Sequence, residues 1–296
     1  MSLFSMFGAF EIGLIFSLVA LGVFISFRLL RFPDLTVDGS FPLGGAVGAL
    51  CISSGMDPFL ATLLAALAGA VAGVFTAILN VHLKIMDLLA SILMMTALYS
   101  INLRIMGKPN IPLIMEPTVF TILEPSWLID YIARPVILIV VVLLAKLALD
   151  AYFSTRQGLA IRATGSNPRM ARAQGINTGA MIILGMAISN GLVGLAGALF
   201  AQSQGGADIS MGIGTIVIGL AAVIVGESIL PSRKLFFVTL AVILGAVIYR
   251  FFIALALNSD FIGLKAQDLN LITALLVTFA LVIPLFKQRL SRRKRV

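Results

Sequence analysis

Residues 32–53 read FPDLTVDGSFPLGGAVGALCIS. The apolar part, residues 40–53, is about 14 residues long, whereas a helix that crosses the hydrocarbon core takes about 20. Ahead of it lie Asp34, Thr36, Asp38 and Ser40, with Pro33 and Pro42 placed to interrupt a helix. Irregular, polar backbone at membrane depth survives only when buried in protein or facing a water-filled cavity. The stretch therefore reads as a broken helix inside a membrane bundle. The competing reading is a long loop followed by a helix that does not fully cross.

Composition supports the membrane setting. The chain has 296 residues, 60% hydrophobic and 11% charged, with mean hydropathy +1.09. A soluble domain carries about 25% charged residues, so little aqueous surface can be built from this chain. The expected class is an all-α, polytopic helical bundle. The net charge of +8 is what basic cytoplasmic loops produce and is no footprint of nucleic acid. One cysteine, Cys51, and one histidine, His82, make a transition-metal site improbable. The N-terminus lacks a basic region and a small-residue cleavage site, so it is expected to belong to the mature protein.

Nine apolar segments are predicted, at 3–27, 40–53, 58–80, 88–106, 133–153, 179–201, 211–230, 235–257 and 269–286. With the tail KQRLSRRKRV inside, the inner loops hold fifteen Lys and Arg and the outer loops four. That bias predicts an N-out, C-in topology.

The tetrapeptide Asp34-Leu-Thr-Val is echoed by Asp208-Ile-Ser-Met, and Gly45 by Gly219, at the same offset. The offset lays segments one to four on segments six to nine and leaves the fifth unpaired. The two halves then run in opposite directions across the membrane, as inverted repeats with interrupted helices do in transporters. The expected organisation is repeat one at 1–110, a linker span at 111–155, a cytoplasmic segment at 154–178, repeat two at 179–286 and a basic tail at 287–296. Gly44 and Gly48, Gly69 and Gly73, and Gly191, Gly194 and Gly197 have the small-residue spacing that lets helix backbones approach.

The cytoplasmic segment carries its own signals. Residues 163–177, ATGSNPRMARAQGIN, hold two positive charges, Arg169 and Arg172, and no acid. Asn167 fits an N-cap, Pro168 the first helical position, and Gly175 the terminator. A short surface helix between them could lie on anionic lipid or dock a cytoplasmic partner.

This segment and the Ala/Gly-rich helix after it resemble the bacterial ATP-binding cassette permeases for branched-chain amino acids and simple sugars. The matching run is Gly165, Asn167, Ala171, Gly175 and Ile176. The stretches FPDLTVDGSFPLGGAV and DLLASILMMTALYSINLRIMG look like the tryptophan/tyrosine-type, uncharacterised branch. The resemblance covers nearly the whole chain. It implies a bacterial inner-membrane importer of two permease subunits (here a homodimer), two cytoplasmic ATPase subunits and an extracytoplasmic binding protein. Gly165, Asn167, Pro168, Arg169, Ala171, Arg172 and Gly175 would couple the permease to the ATPase. The residues agree on one point: no G-x-x-x-x-G-K-[ST] loop is present. ATP and Mg would belong to the partner ATPase, and this chain is expected to be no enzyme and to hold no cofactor.

Candidate pathway residues are Asp34, Thr36, Asp38 and Ser40 at the first break; Asp208, Ser210 and Thr215 at its repeat mate; and Ser91, Met95, Thr96 and Asn190 on intervening helices. Ionisable residues in spans (Glu11, Lys146, Asp150, Glu227 and Arg250) read first as structural, with Lys146 and Asp150 spaced to pair. No cluster of one charge lines the pathway, which fits a neutral or zwitterionic solute such as an amino acid. Sugars or nucleosides are the alternative cargo, and an ion-driven secondary transporter or a membrane anchor the alternative functions.

Overall fold

The computed structural model describes residues 3–124, 130–232, 234–257 and 278. The ninth predicted segment, at 269–286, and the basic tail at 287–296 lie outside them, residue 278 apart. Among the described residues, seven helices are long and apolar enough to cross a membrane.

Helix α1 (Leu3–Val23) continues as one π-helical stretch, Phe24–Leu29. A loop then leads to α2 (Val37–Ser53), α3 (Pro58–Val81) and α4 (Asp87–Met106). Strand β1 (Asn110–Pro112) and the short α5 (Val119–Leu123) precede α6 (Asp130–Ser154). Two short helices, α7 (Arg156–Ser166) and α8 (Pro168–Ala173), connect to α9 (Thr178–Gln204). Strand β2 (Gly206–Asp208) and a 3-10 turn (Ile209–Gly212) lead into α10 (Thr215–Ile229) and α11 (Leu235–Leu257). The strands pair antiparallel, with Asn110 opposite Asp208. This ribbon lies at the end of the bundle opposite α7 and α8.

Helix α9 is the axle. It packs on α3, α2, α1 and α7. Lipid tails give apolar helices no hydrophobic reason to associate, so close backbone contact must hold them. The glycine faces provide it. A Cβ on Gly73 would sit 2.2 Å from Met186 O, and one on Gly44 2.0 Å from Gly194 O. The second half repeats the device: a Cβ on Gly245 would sit 2.1 Å from Ala222 O. The neighbours also correspond. α3 packs on α9 and α2, while α11 packs on α1 and α10; α2 lies on α9, while α10 lies on α1.

Leu63, Leu67, Phe75, Leu143 and Leu144 on α3 and α6 are exposed, as side chains facing lipid or another subunit are.

Pro42 does not interrupt its helix. It lies inside α2, which starts earlier, at Val37. Proline leaves the carbonyl one turn back, on Asp38, without its helical donor. Gly212 of the 3-10 turn covers that place: a Cβ there would lie 2.1 Å from Asp38 O and 2.5 Å from Pro42 Cδ. The break falls instead at residues 30–36, which return into the bundle.

Candidate functional site

Asn190, near the middle of α9, organises the buried polar centre. Its Nδ2 donates to Asp34 Oδ2 at 2.8 Å, and its Oδ1 accepts from Ser40 Oγ at 2.7 Å. Asp34 Oδ1 accepts the Thr36 N–H at 3.0 Å. The hydroxyls of Thr36 and Thr76 lie 2.9 Å apart. Thr76 also reaches Ala72 O at 3.1 Å. All five side chains are buried. The network ties the loop before α2 to α3 and α9. It holds these elements together, because satisfied buried polar groups bind helices where unsatisfied ones would cost stability.

Four of the expected pathway residues, Asp34, Thr36, Ser40 and Asn190, thus meet in one cluster. Thr76 is not among the residues expected from sequence, although it follows Gly69 and Gly73 on the buried face of α3. Ser189, also unexpected, donates to Gly22 O at 2.7 Å and joins α9 to α1.

Asp38 points elsewhere. Its Oδ1 accepts the Ile216 N–H at 2.8 Å and its Oδ2 the Gly214 N–H at 3.3 Å. Those N–H groups open α10, where a carboxylate satisfies unpaired donors and the positive helix end. Gly214 is left-handed, with φ +81, and Thr215 beside it is buried. The first turns of α2 and α10 are therefore joined by one carboxylate.

The remaining candidates lie around this centre. Asp208 accepts from the Ser210 N–H at 2.7 Å, as Asp34 does from Thr36, so the two tetrapeptides form the same turn. Asp208 borders a cleft at the ribbon end with Phe200, Gln204 and Met211. Ser91 is buried and donates to Leu88 O at 2.9 Å, with Pro33 O at 3.2 Å. Met95 borders a second cleft, beside Asp38. Thr96 stands apart: it is exposed on α4 and bonds its own helix at Leu93 O. The charged span residues are partnered structurally where hydrogen bonds are seen. Lys146 pairs with Asp150, Glu227 with Arg28 at 2.7 Å, and Glu11 accepts from Ser203.

The segment at 154–178 folds as its caps predict. Asn167 Oδ1 accepts the Met170 N–H at 3.1 Å, Pro168 opens α8, and Gly175 turns the chain with φ +79. Two expected contact residues face inward instead. Ala171 is buried, and a Cβ on Gly165 would sit 1.7 Å from Leu29 O. They seat the segment on its own bundle. Asn167, Pro168, Arg169, Met170 and Arg172 are exposed, Met170 to 62%.

Residues 5–284 match the family described as the branched-chain amino acid transport system permease component. The chain belongs to that family. The permease is 41% identical over 264 residues to the tyrosine transport system permease protein of Clostridioides difficile (strain R20291), covering 89% of this chain and 86% of that one. It is 35% identical to the uncharacterized protein RP368 of Rickettsia prowazekii (strain Madrid E), covering 92% and 95%. The galactofuranose transporter permease protein YtfT of Escherichia coli (strain K12) is 28% identical, covering 73% and 61%. No solved structure matches the permease. It is a multi-pass transport subunit of the bacterial inner membrane, and not an enzyme.

Proposed function

We propose that this permease forms the translocation pathway of an ATP-driven importer for a small zwitterionic solute, an amino acid. The observation that carries the importer reading is the family match together with α8, a capped helix that presents Met170 between Arg169 and Arg172. An exposed methionine flanked by arginines suits an apolar, acidic groove on a partner. Cytoplasmic ATPase subunits dock there and hold ATP and Mg in their own chains. A second copy of the permease completes the pathway, and an extracytoplasmic binding protein delivers solute at the ribbon end. The tyrosine transport relative supports an amino acid as cargo. Neutral polar groups at the centre support it too.

The inverted repeat belongs to this proposal. Its support is the exchange of neighbours between the halves and the shared turn at Asp34 and Asp208. Nine spans, N-out and C-in, follow from the charge bias and the predicted ninth segment. In a Cys51→Ala background, Met115→Cys (95% exposed at the ribbon end) is expected to label with an impermeant thiol reagent in intact spheroplasts. Arg172→Cys is expected to label only in inverted vesicles. Labelling of both from one side would reverse or break the topology.

Docking is tested by purifying the permease in mild detergent and asking whether an ATPase co-elutes. Met170→Glu is expected to leave permease abundance unchanged, because the side chain is exposed, yet to cut uptake at least about tenfold by burying an unpaired charge in the contact. Gly175→Pro is expected to act in the same direction, since proline cannot adopt the positive φ. Normal uptake by Met170→Glu would remove α8 from the interface.

A further inference from the structure

Asn102, on the wall of the cleft between α2, α4 and the 3-10 turn, carries an acceptor that no described residue satisfies. Asn102 is fully buried, and its Nδ2 donates to Gly39 O at 3.1 Å. Its Oδ1 has no hydrogen-bond partner. A buried amide oxygen left unpaired is costly, and it calls for a donor. Asp38 borders the same cleft. Its oxygens already hold the start of α10, but each carboxylate oxygen can take a further donor. Among the described residues no cationic side chain borders the cleft, so two acceptor groups line it with one carboxylate whose only partners are the N–H groups that open α10. The rest of the wall is Pro42, Met95, Tyr99, Ile209 and Ile213, around a volume of about 260 Å³.

We propose that this cleft is an ammonium subsite, taking the primary amine of an amino acid between Asn102 Oδ1 and the Asp38 carboxylate, with an apolar or aromatic side chain against Met95, Tyr99 and Ile213. The assignment rests on the amino-acid reading above and names where that solute is recognised. An ammonium group carries three donors and a compact positive charge, which matches two acceptors and one negative charge. A sugar hydroxyl brings one donor and no charge, and leaves the carboxylate without a cationic partner. The Asp38 carboxylate also caps α10, so occupancy of the cleft acts on the junction of α2 and α10.

The probe is a pair of thiol reagents on the full chain in detergent, with Cys51→Ala and Met95→Cys in place. One methanethiosulfonate carries an ammonium group, the other a sulfonate. The ratio of their rates is compared with the ratio at Met115→Cys, which is exposed at the opposite end from α8. The ratio at Met95→Cys is expected to favour the ammonium reagent by about tenfold more, as one unit charge a few ångströms away does in a partly screened site. Asp38→Asn is expected to erase the preference, Asn102→Leu to weaken it by removing a neutral acceptor, and Asn102→Asp to raise it. Tyramine is expected to slow the reaction, and 4-hydroxyphenylpropionate, which lacks the amine, to leave it unchanged. Equal ratios at the two cysteines, or equal protection by the acid, would overturn the subsite. Uptake of labelled L-tyrosine by cells carrying the whole transporter, against labelled sugars and nucleosides, tests the cargo reading separately. Amino-acid uptake with an unselective cleft defeats the subsite alone. A sugar or nucleoside cargo with a selective cleft defeats the cargo reading alone.

Discussion

Asp34→Leu is expected to destabilise the permease by about 2–5 kcal/mol and to abolish uptake with it. Leucine leaves the Thr36 N–H and the Asn190 Nδ2 without the acceptors they now have at 3.0 and 2.8 Å. Each orphaned buried donor costs about 1–3 kcal/mol, and hydrogen bonds to a carboxylate are the stronger kind. Asp34→Asn is expected to cost much less. An amide has one oxygen, so one of the two donors would face an NH2 group. Asn190 can answer by turning its own amide, because the Ser40 hydroxyl can accept as readily as it donates. The turned amide loses the 3.2 Å bond to Met186 O, for a net cost of about 1 kcal/mol. Thermal unfolding in detergent and vesicle uptake measured on both variants separate the two effects. Loss of uptake in Asp34→Asn at unchanged stability would mean that the charge itself serves the solute or a coupling ion.

Gly197→Val is expected to prevent folding, with a loss of about 3 kcal/mol or more. A Cβ on Gly197 would lie 1.9 Å from Phe41 O and 2.9 Å from Phe41 C, so α2 and α9 must part by more than an ångström. Overpacking a tight core costs about 1–3 kcal/mol when side chains can shift. Here the obstacle is backbone. Phe41 is also held by Phe16 at 5.6 Å and Phe200 at 5.5 Å between ring centroids. Moving α2 would stretch the Ser40–Asn190 hydrogen bond as well. Gly8→Ala is the control, since a Cβ there meets nothing within 4 Å. A monodisperse gel-filtration peak for Gly197→Val, with a melting temperature like that of Gly8→Ala, would mean that the two helices are not packed this closely.

Features contained in one short window are legible in the sequence itself. Hydropathy alone marks a span, because about 20 apolar residues are needed whatever their partners. The α8 helix is legible because its cap, its proline and its terminating glycine all act within a few residues. The glycine faces are legible because residues four apart share one side of a helix. The break before α2 is visible in its polar residues, and the matching turn at Asp208 in the repeated tetrapeptide.

Partners far apart in the chain are decided only by the fold. Asp34 meets Asn190, and Asp38 meets Gly214 and Ile216, through the rotation and register of helices that no local pattern sets. The same holds for Ala171, which reads like a contact for another protein and instead seats α8 on its own bundle, and for Thr96, which shares a helix with Ser91 but faces outward. Pro42 shows the limit most directly. Read locally it ends a helix, yet α2 runs through it, with Gly212, from the other half of the chain, packed against Asp38 O and the proline ring. Local chemistry specifies which segments form helices and where they are capped. Which faces meet is settled by close packing and by the need to satisfy every buried polar group, and both depend on all the helices at once.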